Sequence, residues 1–379
     1  MSQAHVMILA GEASGDAHAA EFVEQLQRLR PGIRLSGMGS VAMRRAGVEV
    51  FFDSSVIAVV GLVEVLRHWG DIKRAMAIVK QRLEQTRPEL LVLVDYPEFN
   101  LKMARHARAL GIKVLFYISP QVWAWRPKRI HKIGRLIDHM AVIFKFEQVY
   151  YENAGIPVSF VGHPLVDKVK VGQDVAALRS KFGLADRDRV IGLFPGSRRS
   201  EISRLLPLML ECAELMRQRD PAIRFLLPVA STLDFEEISR QCAEGKLDIR
   251  LCRDDIYEVI SCCDAIVSCS GTVTLEIGLL GVPMCIVYKM SGLSYAIMKR
   301  LITIPYIGLV NIVANRPVVR EFLQRQANPA AVSAEVFELL ENPGYREQVT
   351  TGLESVRENL GAGDGARNMA QLVLTLIEQ

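Results

Sequence analysis

The run Val190-Ile191-Gly192-Leu193-Phe194 is apolar, stops at Pro195-Gly196 and resumes as an amphipathic helical pattern with Ser197, Arg198 and Arg199 at its mouth. A glycine at such a turn lets the backbone approach a ligand closely, and the unpaired N–H groups of a helix start carry about half a positive charge. Arg198 adds a planar fork suited to phosphate oxygens. Gly196, Ser197 and Arg198 are therefore candidate phosphate ligands, against the plainer possibility of a helix capped by Ser197 or Ser200 with solvated arginines. A second turn of this kind follows the apolar stretch after Asp264, where Ser268-Cys269-Ser270-Gly271-Thr272 leads into Glu276. Ser270, Gly271 and Thr272 offer hydroxyls and N–H groups, and Glu276 lies about one turn in, where a carboxylate can accept a pair of ribose hydroxyls. Taken alone, that pattern equally fits a capped helix whose Glu276 complements the dipole. Together the two turns point to a nucleoside diphosphate.

The first half of the chain carries other candidates. Leu90-Leu91-Val92-Leu93-Val94 reads as a buried strand with Asp95 at its end and Pro97 stopping the pairing. A carboxylate there is placed to act as a general base, with Glu98 as the second carboxylate, unless Asp95 or Asn100 merely caps the helix that follows. The opening turn Gly11-Glu12-Ala13-Ser14-Gly15-Asp16 can admit a sugar or phosphate, with Gly11, Ser14 and Asp16 as candidates, although any sharp strand-to-helix turn asks for such glycines. Trp123, Arg126, Lys128 and Arg129 interleave aromatic rings with cations, as an anionic phosphate or an anionic membrane surface would require. The apolar run 56–66 is a possible neighbour at a membrane, and a solvated helix face is the competing account. Gly37-Met38-Gly39-Ser40-Val41-Ala42, followed by Asp53, matches a dinucleotide fingerprint but stands outside the first strand-to-helix turn.

These residues need strands to hold them. Apolar runs alternate with amphipathic stretches along the whole chain, the pattern of parallel sheets covered on both faces. In such sheets ligands gather beyond the carboxyl ends of the strands, where the candidates fall. At 379 residues the length suits two domains. The expected fold class is α/β, two tandem doubly wound Rossmann-like domains facing across a cleft. The expected boundaries are 1–165 for the acceptor and base domain, 166–360 for the nucleotide-sugar domain, and 361–379 for a terminal helix packing back on an N-terminal domain, of this chain or of a partner subunit. Forty-six basic and forty-two acidic residues leave a net charge of +4, too little to argue for nucleic acid. Seven cysteines, an odd number without a C-x-x-C pair, read as reduced thiols and not as a disulfide or zinc framework. With no export signal and no apolar run of roughly 20 residues, a cytoplasmic location is expected.

Several strings together resemble the lipid-A-disaccharide synthase family: Gly11-Glu12-Ala13-Ser14-Gly15-Asp16, Asp95-Tyr96-Pro97-Glu98-Phe99-Asn100, Ser119-Pro120-Gln121-Val122-Trp123-Ala124-Trp125 with Lys128-Arg129, Phe160-Val161-Gly162-His163-Pro164, Phe194-Pro195-Gly196-Ser197-Arg198, Ser270-Gly271-Thr272 with Glu276, and Asn311. The resemblance runs in order over essentially the whole chain. It implies a GT-B glycosyltransferase that moves a diacylated glucosamine from UDP-2,3-diacylglucosamine to the 6-hydroxyl of 2,3-diacylglucosamine 1-phosphate, with inversion and release of UDP. On this resemblance Asp95 matches the proposed catalytic carboxylate, Ser197 and Arg198 the phosphate loop, and Glu276 and Asn311 the nucleotide side. The family needs no metal and no cofactor, lies peripherally on the cytoplasmic face of the inner membrane, and forms homodimers with exchanged C-terminal segments. The family often has Asp where this chain has Glu98. A UDP-sugar 2-epimerase of the same fold and a non-catalytic nucleotide-sugar-binding protein are the competing readings.

Overall fold

A computed structural model of the chain describes residues 4–57, 68–125, 127–170, 172–244, 247–292, 295 and 304–379. Most of the apolar run 56–66, together with Arg126, lies outside the described residues. The chain divides into two compact units, Met1–Asp167 with Leu360–Gln379, and Lys168–Asn359.

In the first unit seven strands, β1 (His5–Ala10), β2 (Arg34–Gly39), β3 (Glu49–Asp53), β4 (Leu90–Val94), β5 (Lys113–Tyr117), β6 (His139–Val142) and β7 (Val158–Phe160), form one sheet in the order β3-β2-β1-β4-β5-β6-β7. All its pairings are parallel. Every residue of β1 and β4 is buried, which is why β4 and, after His5, β1 read as unbroken apolar runs without alternation. Helix Trp69–Thr86 lays Ile72, Ala75, Val79 and Leu83 into the same core.

The second unit repeats the plan with β8 (Arg189–Phe194), β9 (Ile223–Pro228), β10 (Ile249–Cys252), β11 (Ala265–Cys269), β12 (Met284–Tyr288) and β13 (Glu321–Leu323), ordered β10-β9-β8-β11-β12-β13 and again parallel throughout. The two tandem doubly wound sheets are those the sequence pattern led us to expect. In each, the winding reverses direction at one place: between β1 and β4 in the first unit, and between β8 and β11 in the second. The loops at such a reversal diverge and leave room for a ligand beyond the strand ends.

Helix Gly365–Glu378 packs on helix Ala13–Leu29 of the same chain, burying Met369, Ala370 and Val373. Burial of each large apolar side chain contributes about 1.5–3 kcal/mol. Its start is fixed by Asp167, whose carboxylate accepts the N–H groups of Asp364 at 2.7 Å and Gly365 at 3.0 Å.

Candidate active site

In the second unit the reversal of winding brings the two candidate turns together. Residues from both line one cavity of about 570 Å3 that includes Gly196, Ser197, Arg198, Ser270, Gly271, Thr272 and Glu276. Phe194 and Ser268 are register partners on β8 and β11, so the turns leave the sheet side by side. Gly196 has φ +113°, and a Cβ there would stand 2.3 Å from Glu201 Oε2, so the turn admits glycine alone. The Glu201 carboxylate accepts the N–H groups of Ser197 at 3.0 Å and Arg198 at 3.2 Å. The chain's own carboxylate thus sits where a phosphate oxygen would take the same two hydrogen bonds. Arg198 is 75% exposed, with Nη1 3.7 Å from Glu201 Oε1, an ion pair weak enough to be exchanged for a stronger anion.

On the opposite wall Ser270 donates its hydroxyl to the Ile307 carbonyl at 2.8 Å. Burial pushes the Glu276 carboxyl above its usual range, and the Tyr257 hydroxyl donates to it at 3.3 Å. Burial, with Glu276 beside it, lifts Tyr257 to about 12, so the phenol remains a donor. A half-buried acceptor of this kind makes strong, directional bonds to a diol. The structure does not bring Asn311 to this cavity. Its amide is fully buried, accepting from Val318 and Val319 N–H groups and donating to the Val319 carbonyl and to Glu321 Oε1. Glu321 in turn accepts the N–H groups of Ile307 and Gly308, so Asn311 shapes the segment on which Ser270 rests.

In the first unit Asp95 and Tyr96 both adopt left-handed backbone, with φ of 47° and 46°. For residues with a Cβ each such conformation costs about 1–3 kcal/mol and persists only where the surroundings impose it. They do so here: Asp95 N–H donates to the Tyr117 carbonyl at 2.9 Å, and the buried Asn100 amide donates to the Asp95 carbonyl at 2.7 Å and the Val94 carbonyl at 3.2 Å. Tyr96 anchors the turn by donating its hydroxyl to the Ile57 carbonyl at 3.1 Å. Its ring leaves no room over Gly11, where a Cβ would lie 2.2 Å from it. Burial, then the charge of Glu12, raises the Asp95 carboxyl above the ordinary range, which makes it the stronger base.

Other expected residues serve the frame. Asp16 is buried and accepts Ser40 N–H at 2.5 Å and Ala42 N–H at 2.9 Å, capping helix Val41–Arg45. That contact also fills the helix start of the Gly37 to Ala42 string, leaving no room there for a pyrophosphate. Ser14 is exposed in the first turn of helix Ala13–Leu29. Trp123 is only 4% exposed, donates Nε1 to Glu147 Oε1 at 2.9 Å and meets Phe146 edge-on at 5.1 Å, so it is core and not surface. Glu98, Lys128 and Arg129 share a separate cavity.

Sequence reasoning missed Val229, Ala230 and Ser231 after β9, Arg253 and Asp254 after β10, and Tyr257, most of which line the 570 Å3 cavity. It also missed Glu12 beside Asp95. Most of them follow a strand end, the one signal that would have found them. All seven cysteines are buried and unbridged. Among the described residues no three His, Cys, Asp or Glu side chains gather as a metal ion would need.

The model of the family described as Lipid-A-disaccharide synthetase matches residues 6–374. A lipid-A-disaccharide synthase of Geobacter sulfurreducens is 50% identical over 374 residues, covering 98% of this chain and 97% of that protein. One from Coxiella burnetii is 43% identical over 377 residues and covers all of both. Among solved structures, a putative UDP-N-acetylglucosamine 2-epimerase from Listeria monocytogenes superposes with a TM-score of 0.67 at 12% identity, covering 100% of this chain and 97% of that one. MurG of Acinetobacter baumannii superposes with a TM-score of 0.59 at 14% identity, covering 98% and 99%. At such identities these structures speak for the fold alone. The family model and the whole-length relatives speak for more: the chain belongs to the lipid-A-disaccharide synthase family.

Proposed function

We propose that the protein is an inverting glycosyltransferase that condenses UDP-2,3-diacylglucosamine with 2,3-diacylglucosamine 1-phosphate, giving the lipid A disaccharide 1-phosphate and UDP. The observation that carries the reading is the convergence of two turns and Glu276 on one cavity in a chain of this family. The second unit, in this reading, takes the nucleotide sugar. Ser197, Arg198 and their N–H groups hold the diphosphate, Ser270, Gly271 and Thr272 face it, and Glu276 accepts the ribose hydroxyls. Asp95 removes the proton from the acceptor 6-hydroxyl as its oxygen attacks the anomeric carbon from the face opposite UDP. The C–O bond to UDP breaks, and Arg198 with the loop amides offsets charge growing on the β-phosphate.

The same reading assigns the first unit to the acceptor and places the protein peripherally on the cytoplasmic face of the inner membrane. No described helix is long and apolar enough to cross a bilayer. Trp69 is exposed with Lys73 and Lys102 over its ring, a pairing suited to a headgroup layer. A homodimer exchanging its C-terminal segments belongs to the proposal too. The left-handed residues Gly361, Gly363 and Asp364 give the required hinge before helix Gly365–Glu378.

Incubating purified protein with UDP-2,3-diacylglucosamine, with and without the acylated acceptor phosphate, tests the core of it. Disaccharide and UDP should appear together and only with acceptor. Conversion of the donor alone to its 2-epimer, or UDP binding without turnover, would sink the transferase in favour of the rival readings.

A further inference from the structure

The second cavity, about 600 Å3, lies in the first unit and is lined by Glu98, Pro127, Lys128, Arg129 and Lys132. Arg129 is 18% exposed and its guanidinium stands 2.8 Å from Glu98 Oε1, whereas the Glu98 side chain is 78% exposed. Among the described residues Lys128 and Lys132 hold no carboxylate. Three cations against one carboxylate leave this pocket two positive charges in excess. A phosphomonoester, with a charge of about −1.5 to −2 at neutral pH, matches that excess. Glu98, mostly in water, gives up little on leaving Arg129 for solvent, and the fork it vacates suits two phosphate oxygens.

The position of the pocket matters as much as its charge. Asp95 follows β4 directly, and Glu98 stands three residues later in the first turn of helix Pro97–Ala109, a backbone span of at most about 10 Å. In the acceptor, the carbon that bears the 6-hydroxymethyl group and the carbon that bears the 1-phosphate both adjoin the oxygen of one pyranose ring. A hydroxyl held at Asp95 therefore keeps its phosphate within about a ring's width, inside that span. We propose that Lys128, Arg129 and Lys132 form the subsite for the acceptor's 1-phosphate, with Glu98 as the resident carboxylate that yields Arg129 to it. This rests on the transferase reading above and adds to it the group that selects the acceptor.

The test compares kcat/KM for 2,3-diacylglucosamine 1-phosphate with that for the same sugar lacking the phosphate. Lys128→Gln combined with Lys132→Gln, both exposed, should lower that ratio about tenfold or more. Glu98→Gln should move it upward, a direction that mere damage to the fold would not produce. UDP affinity serves as the control for folding. An unchanged ratio in both variants overturns the subsite while leaving the transferase standing. Loss of binding to phosphatidylglycerol vesicles with an unchanged ratio overturns it as well and gives the lysines to the membrane surface. If the wild-type protein transfers to neither acceptor, the transferase reading and the subsite fall together.

Discussion

Asp95 is held in place by strain that its neighbours impose, and a substitution that keeps its shape isolates its charge. Asp95→Asn should preserve the thermal unfolding profile and UDP affinity while lowering turnover about 10²- to 10⁴-fold, the usual worth of a general base. Because burial raises the Asp95 carboxyl, the acid limb of the rate profile should fall at a pH above that of an ordinary aspartate. A limb at the ordinary carboxylate position would remove Asp95 from the role of base. Glu147 makes a second test at this scale. It is buried, one carboxyl oxygen held by Trp123 and the other without a partner, and burial moves it from 4.5 to about 8. Folding therefore takes up a proton between those values. Its contribution to stability is fully present below 4.5 and declines by about 1.4 kcal/mol per pH unit up to about 8. Glu147→Gln should flatten that slope in melting temperatures measured from pH 5 to 8. Strand-end patterns made the place of Asp95, just past β4, legible from sequence. Asp16, Trp123 and Asn311 matched family strings equally well, yet their depth depends on partners up to 27 residues away in sequence, which no local string reveals.

The helix Arg199–Arg219 begins with a carboxylate already in its amide cradle, so its start can be probed in two directions. Arg198→Ala removes an attraction for the diphosphate and should weaken UDP binding about tenfold, equivalent to about 1.4 kcal/mol. Glu201→Gln removes a competing charge and should tighten UDP severalfold, read by calorimetry at one ionic strength. If UDP binds both variants as it binds the wild type, the diphosphate does not lie on this helix. The element itself was readable because Pro195-Gly196 interrupts an apolar run and a 3.6-residue pattern follows. Glu201's occupation of the cradle was not, since a Glu three residues into a helix looks the same whether it caps idly or competes with a ligand.

Two units with similar sheets make up the molecule, yet only the second unit is one continuous stretch of chain. Val373 is fully buried where helix Gly365–Glu378 meets helix Ala13–Leu29, so Val373→Asp places a charge without a partner in the first unit. Its unfolding transition should fall by about 3 kcal/mol or more, with UDP binding to the second unit retained. Loss of UDP binding in this variant would show that the second unit does not hold its fold without the first. The α/β class and tandem plan were legible because buried parallel strands read as bare apolar runs. The return of residues 360–379 to the first unit was expected, but whether to this chain's own or to a partner's was left open, because an amphipathic helix says only that it has a partner face. That return has a consequence for synthesis. Helix Ala13–Leu29 leaves the ribosome with its apolar face bare, and its cover arrives only after all of the second unit has been made. At about 5–20 residues per second the delay is on the order of tens of seconds. Through that interval the nascent chain offers a greasy surface to any chaperone, or to any other unfinished copy emerging from the same message.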